Sequence, residues 1–276
     1  MNQNRWIDNT LRGYVGLVFL FIFTPIVASF VFSFNADRFP TLPLGEFSLD
    51  WYRAIFDDPE VWEAFRNSLL VGTTAACAST LLGFCAAYTD YRYRFFGKSV
   101  YLVLALLPPT IPVIIMGLAM LAFLSRVSLS GDTGAVMISH IVMCTPFAMA
   151  VIRMRLALMP EDLEAAAWNL GAGQWRALWH IILPFTAPSI GAALFVTMAV
   201  SFDEYAVAWF VSGLDPTVPV SILTTLQGRV SPTINAIGSI VFTITMTLVI
   251  LAQVLLLKRG KPSPQQNPAS ADGSKQ

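Results

Sequence analysis

The chain has 276 residues, of which 55% are hydrophobic and only 12% are charged. Because a soluble domain carries about twice that charged fraction, the composition excludes an ordinary soluble protein and indicates an integral membrane protein. The formal net charge is zero, so no overall excess of positive charge points to nucleic acid as a partner.

Six apolar segments are long enough to cross roughly 30 Å of hydrocarbon as helices. The first is expected to be a retained span, because it lacks the short apolar core and the small-residue cleavage site of a signal peptide. The fifth is the least uniform, because two acidic residues lie inside it. The predicted spans are 11–34, 68–89, 100–124, 134–158, 187–211 and 234–257.

The positions of the 17 Lys and Arg residues predict the orientation, because positive residues accumulate in cytoplasmic segments. With the N-terminus inside, twelve fall in inside segments and five in outside segments, so both termini are expected in the cytoplasm. We predict a cytoplasmic N-terminal segment (1–12), a transmembrane domain (13–260) and a disordered cytoplasmic tail (261–276). The five outside residues are Arg38, Arg53, Arg66, Arg126 and Arg229.

The third predicted span contains three prolines within five residues, Pro108, Pro109 and Pro112. Regular helix cannot continue through such a stretch. The backbone groups that the prolines leave unpaired must be satisfied by neighbouring helices or by water. We therefore expect this stretch to face the interior of the helix bundle.

Asp203 and Glu204 lie inside the fifth span, where a charge facing lipid costs several kcal/mol. They are a candidate site on a substrate path, with solvation at the outer interface as the alternative. Phe202, Tyr205 and Trp209 suggest an aromatic cage for a cation. On a regular helix these three rings share one face and the acids lie roughly 130° to either side. A common ligand therefore requires a break in the helix or a second subunit.

No motif for catalysis or cofactor binding stands out in the sequence. There is no Walker A glycine loop, and no Ser/His/Asp arrangement or metal-spaced His/Cys cluster. The three cysteines lie in apolar segments and are expected to act as small core residues. His140, with no second histidine nearby, is expected to be a hydrogen-bonded packing residue. We expect no catalytic residue, metal or cofactor in this chain.

The longest polar interruption on the predicted cytoplasmic side is the segment 160–184, PEDLEAAAWNLGAGQWRALWHIILP. It predicts two short helices joined at residues 171–173, where two glycines permit a bend. Glu161, Asp162 and Glu164 crowd the first turn of the first helix, where negative charge suits the helix dipole. Pro184 and Pro188 are expected to mark the entry to the next span. Two interpretations of this segment stay open: a docking site for another protein, and a surface hairpin with no partner.

The segment 160–184 resembles the EAA loop of ABC-importer permeases of the type I fold. The match consists of Glu164-Ala165-Ala166, then Gly171, nine residues, and Ile181-Ile182-Leu183-Pro184. Counting back from Gly171, the glutamate usual in the family falls at Ala165, one residue after Glu164. The resemblance runs over nearly the whole chain, including residues 51–52, 67–69, 107–109 and 201–205.

Within that family the chain is most similar to the second permease subunit of spermidine/putrescine importers, which carry a Ser-Leu-Asp-Asp-Phe-like stretch at residues 201–205. The resemblance implies an all-α membrane protein with six transmembrane helices in the bacterial inner membrane. It also implies import of a polyamine or related organic cation, for which the candidate path residues are Asp203, Glu204, Tyr205, Phe202 and Trp209. The residues implied in coupling to an ATPase are Glu161, Asp162, Glu164, Ala165, Ala166, Gly171 and Ala172.

The resemblance further implies a set of partners within the lipid bilayer and on both sides of it. These are a second homologous permease, two cytoplasmic ATPase subunits that bind ATP and Mg²⁺, and a periplasmic or extracellular binding protein. ATP hydrolysis would occur in the ATPase, so this chain is expected not to be an enzyme. Two alternatives stay open: a permease for another solute, such as an opine, a phosphonate or an amino-acid derivative, and an ion-coupled carrier without an ATPase.

Overall fold

The computed structural model describes residues 5–37, 43–228 and 232–257. Within these ranges the regular structure is helical, apart from an isolated bridge between Asn35 and Phe47, and the predicted all-α class is confirmed. The predicted tail (261–276) and residues 1–4, 38 and 229 lie outside the described residues. The α-helices are α1 (Arg5–Phe32), α2 (Asp50–Asp57), α3 (Pro59–Arg92), α4 (Lys98–Leu106), α5 (Val113–Arg126), α6 (Thr133–Leu156), α7 (Glu161–Asn169), α8 (Gln174–Ala177), α9 (Leu183–Asp203), α10 (Ala206–Val211), α11 (Val218–Gly228) and α12 (Thr233–Leu257).

Five helices of the described residues are long and apolar enough to cross a membrane, and they correspond to five of the six predicted spans. The third predicted span, 100–124, is not a continuous helix. Helix α4 ends at Leu106, Pro108–Thr110 forms a 3-10 turn, and α5 begins after Pro112. The prolines lack the N–H groups that would continue the helix. The count of six spans and the cytoplasmic position of both termini stay predictions.

The fifth span differs from its predicted limits, 187–211, at both ends. Helix α8 continues through a π-helical turn, Leu178–Ile182, into α9, so the span runs from Gln174 to Asp203. Pro184 and Pro188 therefore lie within the helix and do not mark its entry. Local π geometry is one way in which a transmembrane helix accommodates proline. The second short helix of the segment 160–184 is thus the beginning of a span.

Helices α3, α6 and α9 form the centre of the bundle, and small residues allow them to approach closely. A Cβ atom added to Gly83 of α3 would lie 2.6 Å from the Cβ atom of Ala148 on α6. Ala87, Ala148 and Ala193, one from each helix, are fully buried in one cluster. Within a bilayer the hydrophobic effect does not drive helices together, so their association depends on close packing of this kind. Helix α12 packs against α9, and α1 lies at the periphery with its apolar side chains exposed.

Candidate functional site

A break between α9 and α10 separates the two acidic residues of the fifth span. Helix α9 ends at Asp203, and Glu204 has an extended backbone conformation. The Glu204 carboxylate accepts hydrogen bonds from the N–H groups of Ala206 at 2.9 Å, Val207 at 3.0 Å and Ala208 at 3.3 Å. These N–H groups have no intrahelical partner at the start of α10. Glu204 therefore caps α10 and stabilises the break.

The buried side of Glu204 contacts His140 of α6, whose side chain is 0% exposed. The His140 Nε2 atom lies 3.5 Å from Oε2 of Glu204, and its Nδ1 atom lies 2.8 Å from Oγ of Ser201. His140 therefore bridges the last turn of α9 and the break. This arrangement agrees with the predicted role of a hydrogen-bonded packing residue.

Asp203 lines an open cavity of about 670 Å³ beside the break. The start of α5, the α9–α10 break and the middle of α12 form its walls. Thr245, in the lining, is the central residue of α12, so the cavity lies near the middle of that span. This position argues against solvation of Asp203 at the outer interface. The lining residues are Pro112, Val113, Ile114, Ala199, Val200, Asp203, Glu204, Tyr205, Ala206, Thr245 and Val249.

The cavity presents negative charge in otherwise apolar surroundings. Among the described residues, its lining contains no Lys or Arg, and the other charged residue in it is the adjacent Glu204. Because Glu204 is held by the N–H groups of α10, Asp203 supplies the carboxylate that is exposed to the cavity. Such a site can form an ion pair with a cationic ligand and repels an anionic one.

The structure brings three of the five predicted path residues to the cavity: Asp203, Glu204 and Tyr205. Phe202 is 3% exposed and packs in a cluster with Ile237 of α12. Trp209 is half-exposed on α10 and is not part of the lining. The aromatic face expected of a regular helix does not form, because the helix breaks between these rings.

Thr245 belongs to the cavity wall and was not predicted from the sequence. Thr243, Thr245 and Thr247 follow one another at alternate positions in an apolar helix. Nothing local distinguishes the one that lines the cavity from its two neighbours. The proline stretch was expected to face the interior of the bundle, and within this chain that expectation is wrong: no residue of Pro108–Thr110 is buried, and Pro112 is exposed in the lining of the open cavity.

The first part of the segment 160–184 folds as predicted, into a short helix followed by a glycine turn. Gly171 has a φ of +77°, in the left-handed region that favours glycine. Its N–H donates to the carbonyl of Trp168, and the Ala172 N–H donates to the carbonyl of Ala167, both at 2.9 Å. This pair of hydrogen bonds is a Schellman motif, which ends α7 and sets the direction of α8.

The predicted coupling residues divide between an outer and an inner surface of α7. Asp162, Ala165, Ala166 and Gly171 are exposed, and Ala172 is half-buried. Glu164, in contrast, is only 7% exposed. For Glu161 the structure describes the helical backbone but not the side chain. The large exposed apolar residues Leu170 and Trp175 extend the outer surface. Leu170 and Trp175 could have been predicted from the sequence, because large apolar residues are unusual in a polar loop.

Replacing Glu204 by Gln is expected to lower the unfolding temperature of the permease by roughly 2–6 °C. The amide keeps one acceptor oxygen, so at least one N–H of α10 loses its bond, at a cost of about 1–3 kcal/mol. Asp203→Asn is the matched control, because Asp203 is exposed and caps no helix. Thermal unfolding in detergent measures both variants, and an equal stability of the two would contradict the capping role.

An apolar helix bundle with an open cavity and an exposed carboxylate at a helix break is consistent with a membrane transport subunit. The model of the family described as "Binding-protein-dependent transport system inner membrane component" matches residues 79–259, and the chain belongs to this family. It is accordingly a multi-pass permease of the inner membrane, and the resemblance seen in the segment 160–184 is confirmed.

Two curated relatives and one solved structure are similar to the chain over most of its length. It is 29% identical to the spermidine/putrescine transport system permease protein PotC of Haemophilus influenzae, over 90% of this chain and 96% of that protein. It is also 29% identical to the putrescine transport system permease protein PotI of Escherichia coli, over 82% and 83%. A chain of a bacterial ABC transporter that imports the acidic polysaccharide alginate has the same fold, with a TM-score of 0.72 at 16% identity, covering 93% and 96%.

Proposed function

We propose that this chain is a permease subunit of an ATP-driven importer for a polyamine or a related organic cation. The observation that carries the proposal is the Asp203 carboxylate, open to a cavity whose described lining contains no Lys or Arg. The names of the PotC and PotI relatives, over most of the length of both chains, support the same class of substrate. The alginate importer has the same fold and an acidic substrate, so the fold does not determine the charge of the substrate. The negative charge of the cavity is the feature that supports a cationic substrate.

The chemistry of a polyamine complements this cavity. A volume of about 670 Å³ lies within the range of small-molecule sites. A polyamine alternates methylene segments with ammonium groups. The methylene segments would contact Val113, Ile114 and Val249, while one ammonium group forms an ion pair with Asp203. A second, homologous permease would close the open side of the cavity and supply the remaining contacts.

The continuous helix from Gln174 to Asp203 provides a mechanical path from the cytoplasmic segment to the cavity. It contains 30 residues and is therefore about 45 Å long. An ATPase pair that binds ATP and Mg²⁺ would contact α7, and closure of that pair would displace α7 and α8. Because α8 and α9 are one helix, the displacement would reach the break beside Asp203. The bundle would then change from inward-facing to outward-facing.

The transporter assembled from its native membrane tests this function. We expect the tagged chain to co-purify with a second permease and an ATPase. In proteoliposomes with the external binding protein, ATP should drive uptake of labelled spermidine, and unlabelled putrescine should compete while an acidic oligosaccharide should not. Uptake driven by an ion gradient without ATP would establish the carrier alternative. ATP-driven transport that polyamines do not inhibit would refute the substrate class.

A further inference from the structure

The last turn of α3 carries two charged residues, Asp90 and Arg92, that connect it to different parts of the protein. Asp90 is 7% exposed, and its carboxylate forms ion pairs with Arg153 of α6 and Lys98 of α4. Three helices of the bundle therefore meet at Asp90. A displacement of this turn of α3 would be transmitted to α4 and α6 through these ion pairs.

Arg92 connects the same turn to α7. Its Nη1 atom lies 3.8 Å from Oε2 of Glu164, and its guanidinium lies over the ring of Trp168, 4.7 Å from the centroid. Glu164 and Trp168 are four residues apart and so lie on one face of α7. The cation thus contacts both side chains, one by an ion pair and one by a cation–π interaction.

The burial of Glu164 makes this contact more than a surface ion pair. A carboxylate that is only 7% exposed requires a compensating charge, and the described cation within 4 Å of it is Arg92. Ala165, the next residue, is exposed, at the position where the EAA pattern has its glutamate. One residue along a helix is a rotation of about 100°. The shift of the glutamate from 165 to 164 therefore turns the carboxylate from the outer surface of α7 toward α3.

We infer that Arg92 is a positioning residue that attaches α7 to α3, and that Glu164 serves this internal attachment and does not contact the ATPase. The inference rests on the proposed function, since it concerns how an ATPase moves the bundle. The attachment provides a second path from α7, through Arg92 and Asp90 to α4 and α6, beside the continuous α8–α9 helix. At position 165, the outer surface of α7 presents an alanine to a partner where the EAA pattern has a carboxylate.

The test compares uptake per ATP hydrolysed by the complete transporter in proteoliposomes. We expect Arg92→Gln and Glu164→Gln each to lower this ratio about fivefold or more. The matched control is Arg94→Gln, because Arg94 is exposed and belongs to no ion pair among the described residues. The charge-reversed double variant, Arg92→Glu with Glu164→Arg, should restore part of the lost uptake per ATP hydrolysed. Because uptake is divided by the ATP hydrolysed, a loss of folded transporter does not change the ratio, so this recovery reports coupling and not stability.

A second variant distinguishes internal attachment from contact with the partner. Adding Ala165→Glu to Glu164→Gln places the carboxylate on the outer surface, and we expect it not to restore the ratio. Restoration would overturn the inference, because it would show that the carboxylate acts on the ATPase. Unchanged ratios in Arg92→Gln and Glu164→Gln would overturn it as well. A wild-type complex without ATP-driven uptake would contradict the proposed function itself, whereas a coupled wild type with coupled variants would contradict the attachment alone.

Discussion

Replacing Asp203 by Asn is expected to lower ATP-driven uptake of labelled spermidine at least about tenfold. Asn has nearly the same shape as Asp, so the variant removes the negative charge and leaves the cavity walls in place. A hydrogen-bonded contact to a charged group contributes about 1.5–3 kcal/mol. Since about 1.4 kcal/mol corresponds to a factor of ten, loss of one ammonium–carboxylate contact produces an effect of this size. Uptake into proteoliposomes at fixed binding protein and ATP measures it.

The controls for Asp203→Asn separate the loss of charge from a loss of assembly. Asp203→Glu keeps the charge and should retain most of the uptake. Co-purification with the partner subunits and the unfolding temperature should match those of the wild type, because Asp203 caps no helix. Spermidine uptake by Asp203→Asn at the wild-type rate would remove Asp203 from the substrate path.

The sequence predicted the parts of this fold that depend on local composition. Apolar runs of sufficient length identified five of the spans, because membrane crossing requires about 20 apolar residues and little else. The proline stretch at 108–112 showed that the third segment cannot be regular helix. It did not show how the two short helices would be placed, because their positions depend on tertiary packing, such as that of α5 against α10.

The roles of Asp203 and Glu204 could be predicted only in part. The spacing of the acids and rings required a helix break or another subunit, and the structure shows a break. The cap is local, because Glu204 accepts from N–H groups two to four residues later, but its burial against His140 is not. That residue is 61 positions from its partner Ser201 in the sequence. Contacts over such separations arise from tertiary packing and leave no local pattern.

The segment 160–184 shows the same division between local and long-range information. Gly171 predicted the turn, because a left-handed C-cap is a local requirement that glycine satisfies. The inward direction of Glu164 could not be read from the motif, since it depends on Arg92 at the distant end of α3. The one-residue departure from the EAA pattern was visible, and its meaning required the position of α7 against the bundle.

Gly171→Pro is expected to uncouple ATP hydrolysis from uptake, with hydrolysis continuing and uptake falling to background. Proline fixes φ near −65°, whereas Gly171 has a φ of +77°, and proline also removes the N–H that donates to Trp168. The turn must therefore change its path, and α7 will take a different direction relative to α8. In the proposed coupling, α7 acts on the bundle through α8–α9 and through Arg92, so the change would disturb both paths. Its effect should exceed that of Arg92→Gln, which removes only one.

Two control variants make the Gly171→Pro result specific to the geometry of the turn. Gly171→Asn should retain coupling, because Asn tolerates the left-handed conformation. Gly173→Ala should also retain it, because Gly173 has a φ of −74° and no atom lies within 4 Å of an added Cβ. Hydrolysis and uptake are measured on the same proteoliposomes, so a change in the number of assembled complexes cancels in their ratio. If Gly171→Pro transports with the wild-type ratio, the direction of α7 does not control the bundle, and α7 is only a surface on which the ATPase rests.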